Sequence, residues 1–310
     1  MQTQYQINAR QLQPTTTAGQ WLRVCAPDKD ELEALANHYQ LPFDYWHAGL
    51  DPHEDPRVVG VHPEAQHPTL VVVRVPFATH NAQGDQVFET KPLALILVKD
   101  QLITVAAQPL AVVDAFIAKK RAVDDAEDLA LALIQAVLDE FVANTDQMDA
   151  QTRDMETRLA TAARNTLLYE IIALERSLVY FDSALTMTQA VVKKLAASAR
   201  VFTTDAHLYR LHAVNVECGQ ALTVVNCSRA LLDQYNTAVS AIVGNNLNLI
   251  MKVLTSVSII MTIPAIVSGI WGMNTWLPFR TGMTGFFFLL GLIGVLCGSC
   301  AWLLKKKGYF

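Results

Sequence analysis

The chain has 310 residues, 52% of them hydrophobic and 17% charged, with a formal net charge of −5 and a mean hydropathy of +0.23. Soluble domains carry about 25% charged residues, so part of this chain is expected outside water. The negative balance gives no basis for nucleic-acid binding, and the length allows two domains.

The first thirty residues are polar and lack an apolar core flanked by basic residues, so no signal peptide is expected. Asp28–Gln40 has the pattern of a helix with acids in its first turn. Thr69–Phe77 (TLVVVRVPF) is short and β-branched, as a buried strand should be. Pro92–Ala107 predicts two strands around a turn at Lys99-Asp100. Together these give a compact α/β domain over residues 1–120.

Between Asp124 and Gly244 there is no Pro and only one other Gly, Gly219. The pattern predicts three long helices, with breaks near Ala163–Asn165 and Ser198–Asp205. The last helix continues without a stop signal into an apolar stretch. No residue is charged from Val253 to Phe279, nor from Thr281 to Leu304. Each stretch exceeds the roughly 20 residues that a membrane crossing needs. Lys305, Lys306 and Lys307 follow, and basic residues favour the cytoplasmic side. Two crossings then put both termini in the cytoplasm, with the connecting loop outside. Trp271, Trp276 and Trp302 fall near the expected interfaces.

The cysteines are Cys25, Cys218, Cys227, Cys297 and Cys300, an odd and scattered set unlike a disulfide framework. Cys297 and Cys300 have CxxC spacing within the second apolar run; they fit small packing residues, with a redox or metal pair as the minor alternative. His47, His53, His62 and His67 cluster in sequence, and a zinc site there is likewise minor. The acids Asp124, Asp125, Glu127 and Asp128 suit a helix start, and Asp139, Glu140, Asp146 and Asp149 a solvated helix face; sensing of intracellular Mg²⁺ by the first group is the alternative. No nucleophile–base pair, phosphate loop or catalytic metal motif is present, so an enzyme is not expected.

Asn248, Met251, Thr255, Ser258, Thr262, Ala265 and Gly269 follow one another at alternating spacings of 3 and 4, which places them on one helix face. The same face continues backward through Gly244, Ala241, Thr237, Gln234, Ala230, Cys227 and Thr223. An ordinary coiled coil would carry Leu or Ile there. A seam of small and hydroxylic residues suits tight helix packing in lipid or the wall of a wet passage. Periodicity alone favours packing; Gly272-Met273-Asn274, an uncharged turn rich in carbonyls and amides at the outer mouth, shifts the balance to a passage. Rings of neutral oxygens build cation filters, and Mg²⁺ releases its waters reluctantly, so such oxygens would hold it hydrated.

Gly272-Met273-Asn274 at the end of the first of two C-terminal membrane helices, Asn245–Thr255 (NNLNLIMKVLT) leading into that helix, the Lys-rich end and Gly49–Val58 (GLDPHEDPRV) resemble the CorA family of divalent-cation channels, over essentially the whole chain. The resemblance implies an α+β membrane protein: a cytoplasmic α/β domain (1–120), a coiled-coil-like helical stalk and funnel (121–250), a pore helix ending in the tripeptide (251–274), an outer loop (275–282), a second transmembrane helix (283–304) and a basic tail (305–310). It also implies a homopentamer in the plasma membrane, carrying Mg²⁺ inward and regulated by it, with divalent cations and the bilayer as partners and no resident cofactor. Gly272, Met273 and Asn274 would form the selectivity filter, with Asn274 on the first hydrated ion. Asn248, Met251 and Leu254 match the narrow cytoplasmic-side pore positions; Thr255, Ser258, Thr262, Ala265 and Gly269 would line the pore above them. Lys305, Lys306 and Lys307 match a basic collar, and Asp233 an acidic funnel ring, although Asp233 lies about one turn farther from Met251 than in some relatives. The outer loop lacks the acids that some relatives carry. Met273 favours magnesium over the alternatives Zn²⁺, Co²⁺ and Ni²⁺; a membrane-tethered oligomeric scaffold is the alternative outside transport.

Overall fold

The computed structural model describes residues 2–81, 84, 86–158, 164–198, 200–273 and 283–309. The chain divides into two compact units, Met1–Gln234 and Tyr235–Phe310.

The first unit begins with strands β1 (Gln2–Asn8), β2 (Gln11–Thr15) and β3 (Trp21–Cys25), then helices α1 (Lys29–Tyr39) and α2 (Phe43–His47). Strands β4 (Arg57–Val59), β5 (Thr69–His80), β6 (Gln86–Val98) and β7 (Gln101–Ala106) follow, and then helices α3 (Ala111–Ala118), α4 (Ala126–Arg158) and α5 (Arg164–Ala196). Helix α6 (Asp205–Trp271) starts in this unit and continues into the second, which also holds α7 (Met283–Lys306).

Helix α1 starts where the sequence predicts. Asp28 accepts from the Glu31 N–H at 2.7 Å, and the Glu31 carboxylate accepts from the Asp28 N–H. This reciprocal cap satisfies two of the donors that a helix start leaves bare. The hairpin expected around Lys99-Asp100 is β6–β7, pairing Val98 with Gln101.

Among the described residues the strands form one seven-stranded sheet in the order β2-β1-β3-β7-β6-β5-β4. Only β3 and β7 run parallel; the other neighbours are antiparallel. Both faces are covered, which explains why VVVRV and LALILV read as unbroken apolar runs. One face (Leu22, Val24, Leu70, Val72, Ala94, Ile96, Ile103, Val105) packs with Leu32, Leu35 and Trp46 of α1 and α2. The alternate residues meet α4 and α5, and Trp21 meets Phe116 of α3. There Trp21 donates to Thr104 Oγ1 at 2.9 Å and its ring stands edge-on to Phe116. Phe181 of α5 sits between Phe88 of β6 and Phe141 of α4, with ring centres 5.7 and 4.8 Å away. The helices following the sheet are therefore a layer of its core as well as a stalk.

The three long helices expected beyond Asp124 are α4, α5 and α6. Helix α5 begins at Arg164 and ends at Ala196, and α6 begins at Asp205, so their ends fall at the predicted breaks. On α6, Leu211, Val214, Cys218, Ala221, Val225, Ser228 and Leu232 are buried at spacings of 3 and 4. Cys218 Sγ lies 3.8 Å from Leu185 O of α5, and Ser228 Oγ donates to Asp149 of α4 at 2.9 Å. This buried seam fastens the early part of α6 to its neighbours. The predicted seam residues Thr223, Cys227, Ala230 and Gln234 lie off it and are exposed.

Candidate functional site

The GLDPHEDPRV segment of the first unit follows α2. Gly49 is required: a Cβ there would lie 2.2 Å from Val105 O. Arg57 is held by Asp44 at 2.8 Å and by Glu54 at 2.5 Å. Arg74 of β5 donates to Pro52 O, Glu54 O, Thr90 O and Thr90 Oγ1. Burial lowers the Arg74 pKa from its ordinary value, with partial compensation from Asp55 and Asp51. The segment's charges thus serve to lock a loop onto the sheet. Among the described residues, no three His, Cys, Asp or Glu side chains converge to hold a metal ion, the histidines between 47 and 67 included.

The acidic cluster at the start of α4 has a use that spacing alone does not reveal. Asp124 pairs with Arg10 at 2.6 Å. Asp125 meets His207 Nε2 at 2.9 Å, and Asp128 meets Arg210 Nε at 2.8 Å. Each helix contributes partners three residues apart, so two parallel contacts pin the first turn of α6 to the first turn of α4. Asp128 also accepts from the Asp124 N–H, and Asp125 from the Asp128 N–H, capping α4. Glu127 is left in a half-buried place. Burial, aided by Asp125 and Asp100 and opposed by its own N–H and by His207, raises its pKa. Asp139 pairs with Arg121 at 2.6 Å. Asp233 lies exposed on α6.

In the second unit, α6 and α7 are antiparallel. Trp271 stacks near Phe288 at 6.2 Å, Cys297 Sγ lies 3.7 Å from Ile260 O, and Lys252 Nζ sits 5.9 Å from the Tyr309 ring centre. Lys252 therefore shares one end of the hairpin with Lys305, Lys306 and Lys307, all exposed. Lys305 and Lys306 occupy the last turn of α7, where cations complement the helix dipole. That helix closes on Gly308 at φ +74°, a left-handed cap suited to glycine. Gly272 and Met273 lie at the opposite end, where α6 finishes in a turn. Asn274, Trp276 and the outer loop 275–282 lie outside the described residues.

Helix α7 covers a single face of α6. Ser256 is fully buried, and Ile260, Ile263, Pro264, Val267 and Trp271 are half-buried along the same side. Asn248, Met251, Thr255, Ser258, Thr262, Ala265 and Gly269 lie on the opposite side, at 100° per residue about half a turn away, and all are exposed. Leu254 is exposed beside them. The structure thus gathers every predicted pore-lining residue on a face that this chain leaves bare. Thr262 Oγ1 donates to Ser258 O at 2.7 Å. With its proton turned inward, the hydroxyl offers only lone pairs outward, the polarity that a hydrated cation seeks.

Among the described residues, two helices are long and apolar enough to cross a membrane: α6 and α7. Their outer surfaces are bare of packing; Val295 and Met261 are each 70% exposed. Outside a bilayer or partner helices, such apolar area would be costly.

Similarity to known proteins agrees with this arrangement. The cobalt/magnesium transport protein CorA of Methanocaldococcus jannaschii is 21% identical over 297 residues, covering 93% of this chain and 90% of that protein. The complete structure of the CorA magnesium transporter from the same organism superposes with a TM-score of 0.84 at 18% identity, covering 100% of this chain and 99% of the other. The full-length CmaX protein gives 0.72 at 15% identity, covering 97% of this chain and 96% of its own. The model of the CorA-like Mg²⁺ transporter protein family matches residues 17–306. With the α/β unit, the long helix and the two apolar C-terminal helices in place, the chain belongs to the CorA-like Mg²⁺ transporter protein family.

Proposed function

We propose that this chain is one subunit of a homopentameric plasma-membrane channel that admits hydrated Mg²⁺ and is gated by divalent cation inside the cell. It is a transport protein rather than an enzyme. The observation that carries the reading is the bare seam on α6, opposite α7, with the Thr262 hydroxyl directed to its own backbone. Several copies facing one axis would cover that seam and surround a column of water with neutral oxygens. Asn274, with Gly272 and Met273, would be the outermost ring and hold the ion through its own waters. Asn248, Met251 and Leu254 would form the narrow inner section, and Lys305–Lys307 the collar at the cytoplasmic end. Asp233 would face the funnel below. Both termini would be cytoplasmic, consistent with the lysines gathered at one end of the hairpin.

The driving force is the membrane potential, about 2.3 kcal/mol per charge per 100 mV and about twice that for a divalent ion. Purified protein in liposomes tests the reading. Asn274→Ala is expected to abolish Mg²⁺ uptake while leaving assembly intact. Uptake by that variant at the unsubstituted rate would refute the filter assignment. Transport of Co²⁺ is a second reading, supported by the name of the cobalt/magnesium relative; Co²⁺ flux exceeding Mg²⁺ flux in the same liposomes would establish it. An absence of any divalent flux from the assembled protein would favour a scaffold.

A further inference from the structure

Pro264 lies inside α6. A proline has no backbone N–H, so the carbonyl four residues earlier loses the donor that a regular helix supplies. Here that acceptor is Ile260 O. Inside a bilayer no water replaces the missing donor, and the group must be satisfied by protein. The Sγ of Cys297, on α7, lies 3.7 Å from this same oxygen and donates to it. A thiol is a weak donor, but it is the group that the neighbouring helix places at the break. The other half-buried residues of α7 are Leu289, Ile293, Cys300, Ala301 and Leu304; apart from Cys300, three residues nearer the Lys305 end, their side chains have no proton to give. Ser268 Oγ donates to Pro264 O one turn further on, and Thr262 Oγ1 to Ser258 O just before the proline. Side-chain bonds of this kind bend helices. The stretch of α6 around Pro264 is therefore shaped by three donors from side chains, and one of them comes from the other helix.

We infer that Cys297 is a positioning residue for transport: its thiol supplies the donor that Pro264 withholds and holds α6 to α7 at this break, beneath the Gly272-Met273 end. This rests on the transport reading for its functional part, whereas the hydrogen bond itself does not. Cys297 and Cys300 are then unequal, with Cys297 serving the helix break and Cys300 serving as packing.

The test uses the full-length protein in liposomes, with Ile260 carrying an isotope-labelled carbonyl and its amide band read by infrared spectroscopy. Cys297→Ala is expected to move that band to higher wavenumber and to lower the initial Mg²⁺ flux about two-fold, the equivalent of a hydrogen bond at the weak end of the usual range. Cys297→Ser keeps a donor and is expected to restore the band and most of the flux; Cys300→Ala should leave both unchanged. Pro264→Ala returns a backbone N–H to Ile260 O, so adding Cys297→Ala to it should change neither readout. An unmoved band in Cys297→Ala overturns the bond. A moved band with unsubstituted flux overturns the positioning role, as does an equal Cys297→Ala effect in the Pro264→Ala background. A protein that carries no Mg²⁺ at all would defeat the transport reading and the positioning role, while the band comparison would still decide the bond.

Discussion

Replacing Arg210 with Met removes one of the two contacts that pin the start of α6 to α4. The guanidinium reaches Asp128 at 2.8 Å, with side-chain exposures of 28% for Arg210 and 7% for Asp128. Two unit charges about 4 Å apart attract by about 4 kcal/mol at an effective dielectric near 20. The cost of taking them out of water cancels part of this. The Asp124 N–H still donates to Asp128 in the variant, so the stranded carboxylate keeps one partner. The expected net loss is about 2 kcal/mol. Because the chain has two compact units, a single unfolding free energy is a poor measure, and local opening is the better one. Hydrogen exchange of the amides at 206–212 reads it directly, and about 2 kcal/mol corresponds to roughly thirty-fold faster exchange. Adding Asp128→Asn should cost less than the sum of the single changes, because the buried charge has gone. Exchange within about two-fold of the unsubstituted protein would show that His207–Asp125 and the apolar seam hold this turn alone.

Two further outcomes follow from buried titratable groups. Burial raises the Glu127 pKa, so the stability associated with its neutral form is present at low pH and lost as pH rises through that pKa. Glu127→Gln is therefore expected to slow hydrogen exchange of the amides in the first turn of α4 at pH 8 and to leave it unchanged at pH 4; faster exchange at pH 8 would refute the account. Burial also pushes the Cys218 thiol up to about 11, against a smaller opposing effect of Lys193. An aromatic disulfide reagent at pH 8 should label the exposed Cys227 in the folded protein and Cys218 only after unfolding; equal labelling rates, followed by peptide mass spectrometry, would overturn the burial argument.

The elements most legible in the sequence were those with a single dominant signal. Two uncharged runs announced α7 and the last part of α6; the β-branched stretch at Thr69–Phe77 announced β5, because burial on both faces of a sheet leaves no room for polar residues. Strand β1 gave no such signal: QTQYQIN is mostly amides and hydroxyls, with Tyr5 alone buried. The seam from Asn248 to Gly269 was readable as one face from spacing, but whether α7 would cover it was not. That depends on which side the second helix chooses, and here it chooses the side of Ser256, Ile260 and Val267, turning Gly285, Leu289, Ile293 and Cys297 inward. The acids at 124–128 suggested a helix start, which they are; their partners Arg10, His207 and Arg210 lie far away in sequence and appear only with the fold. Pro264 and Cys297 were each visible, and their meeting at Ile260 O needed the antiparallel register.

The two rims of the sheet have a consequence for crowded membranes. A bare strand rim invites a neighbouring molecule to add its own backbone and begin an aggregate. Here β2 carries Pro14, which has no N–H to donate, and β4 is only three residues long. Each rim is thus a poor template, and copies of this protein held side by side can keep their sheets separate.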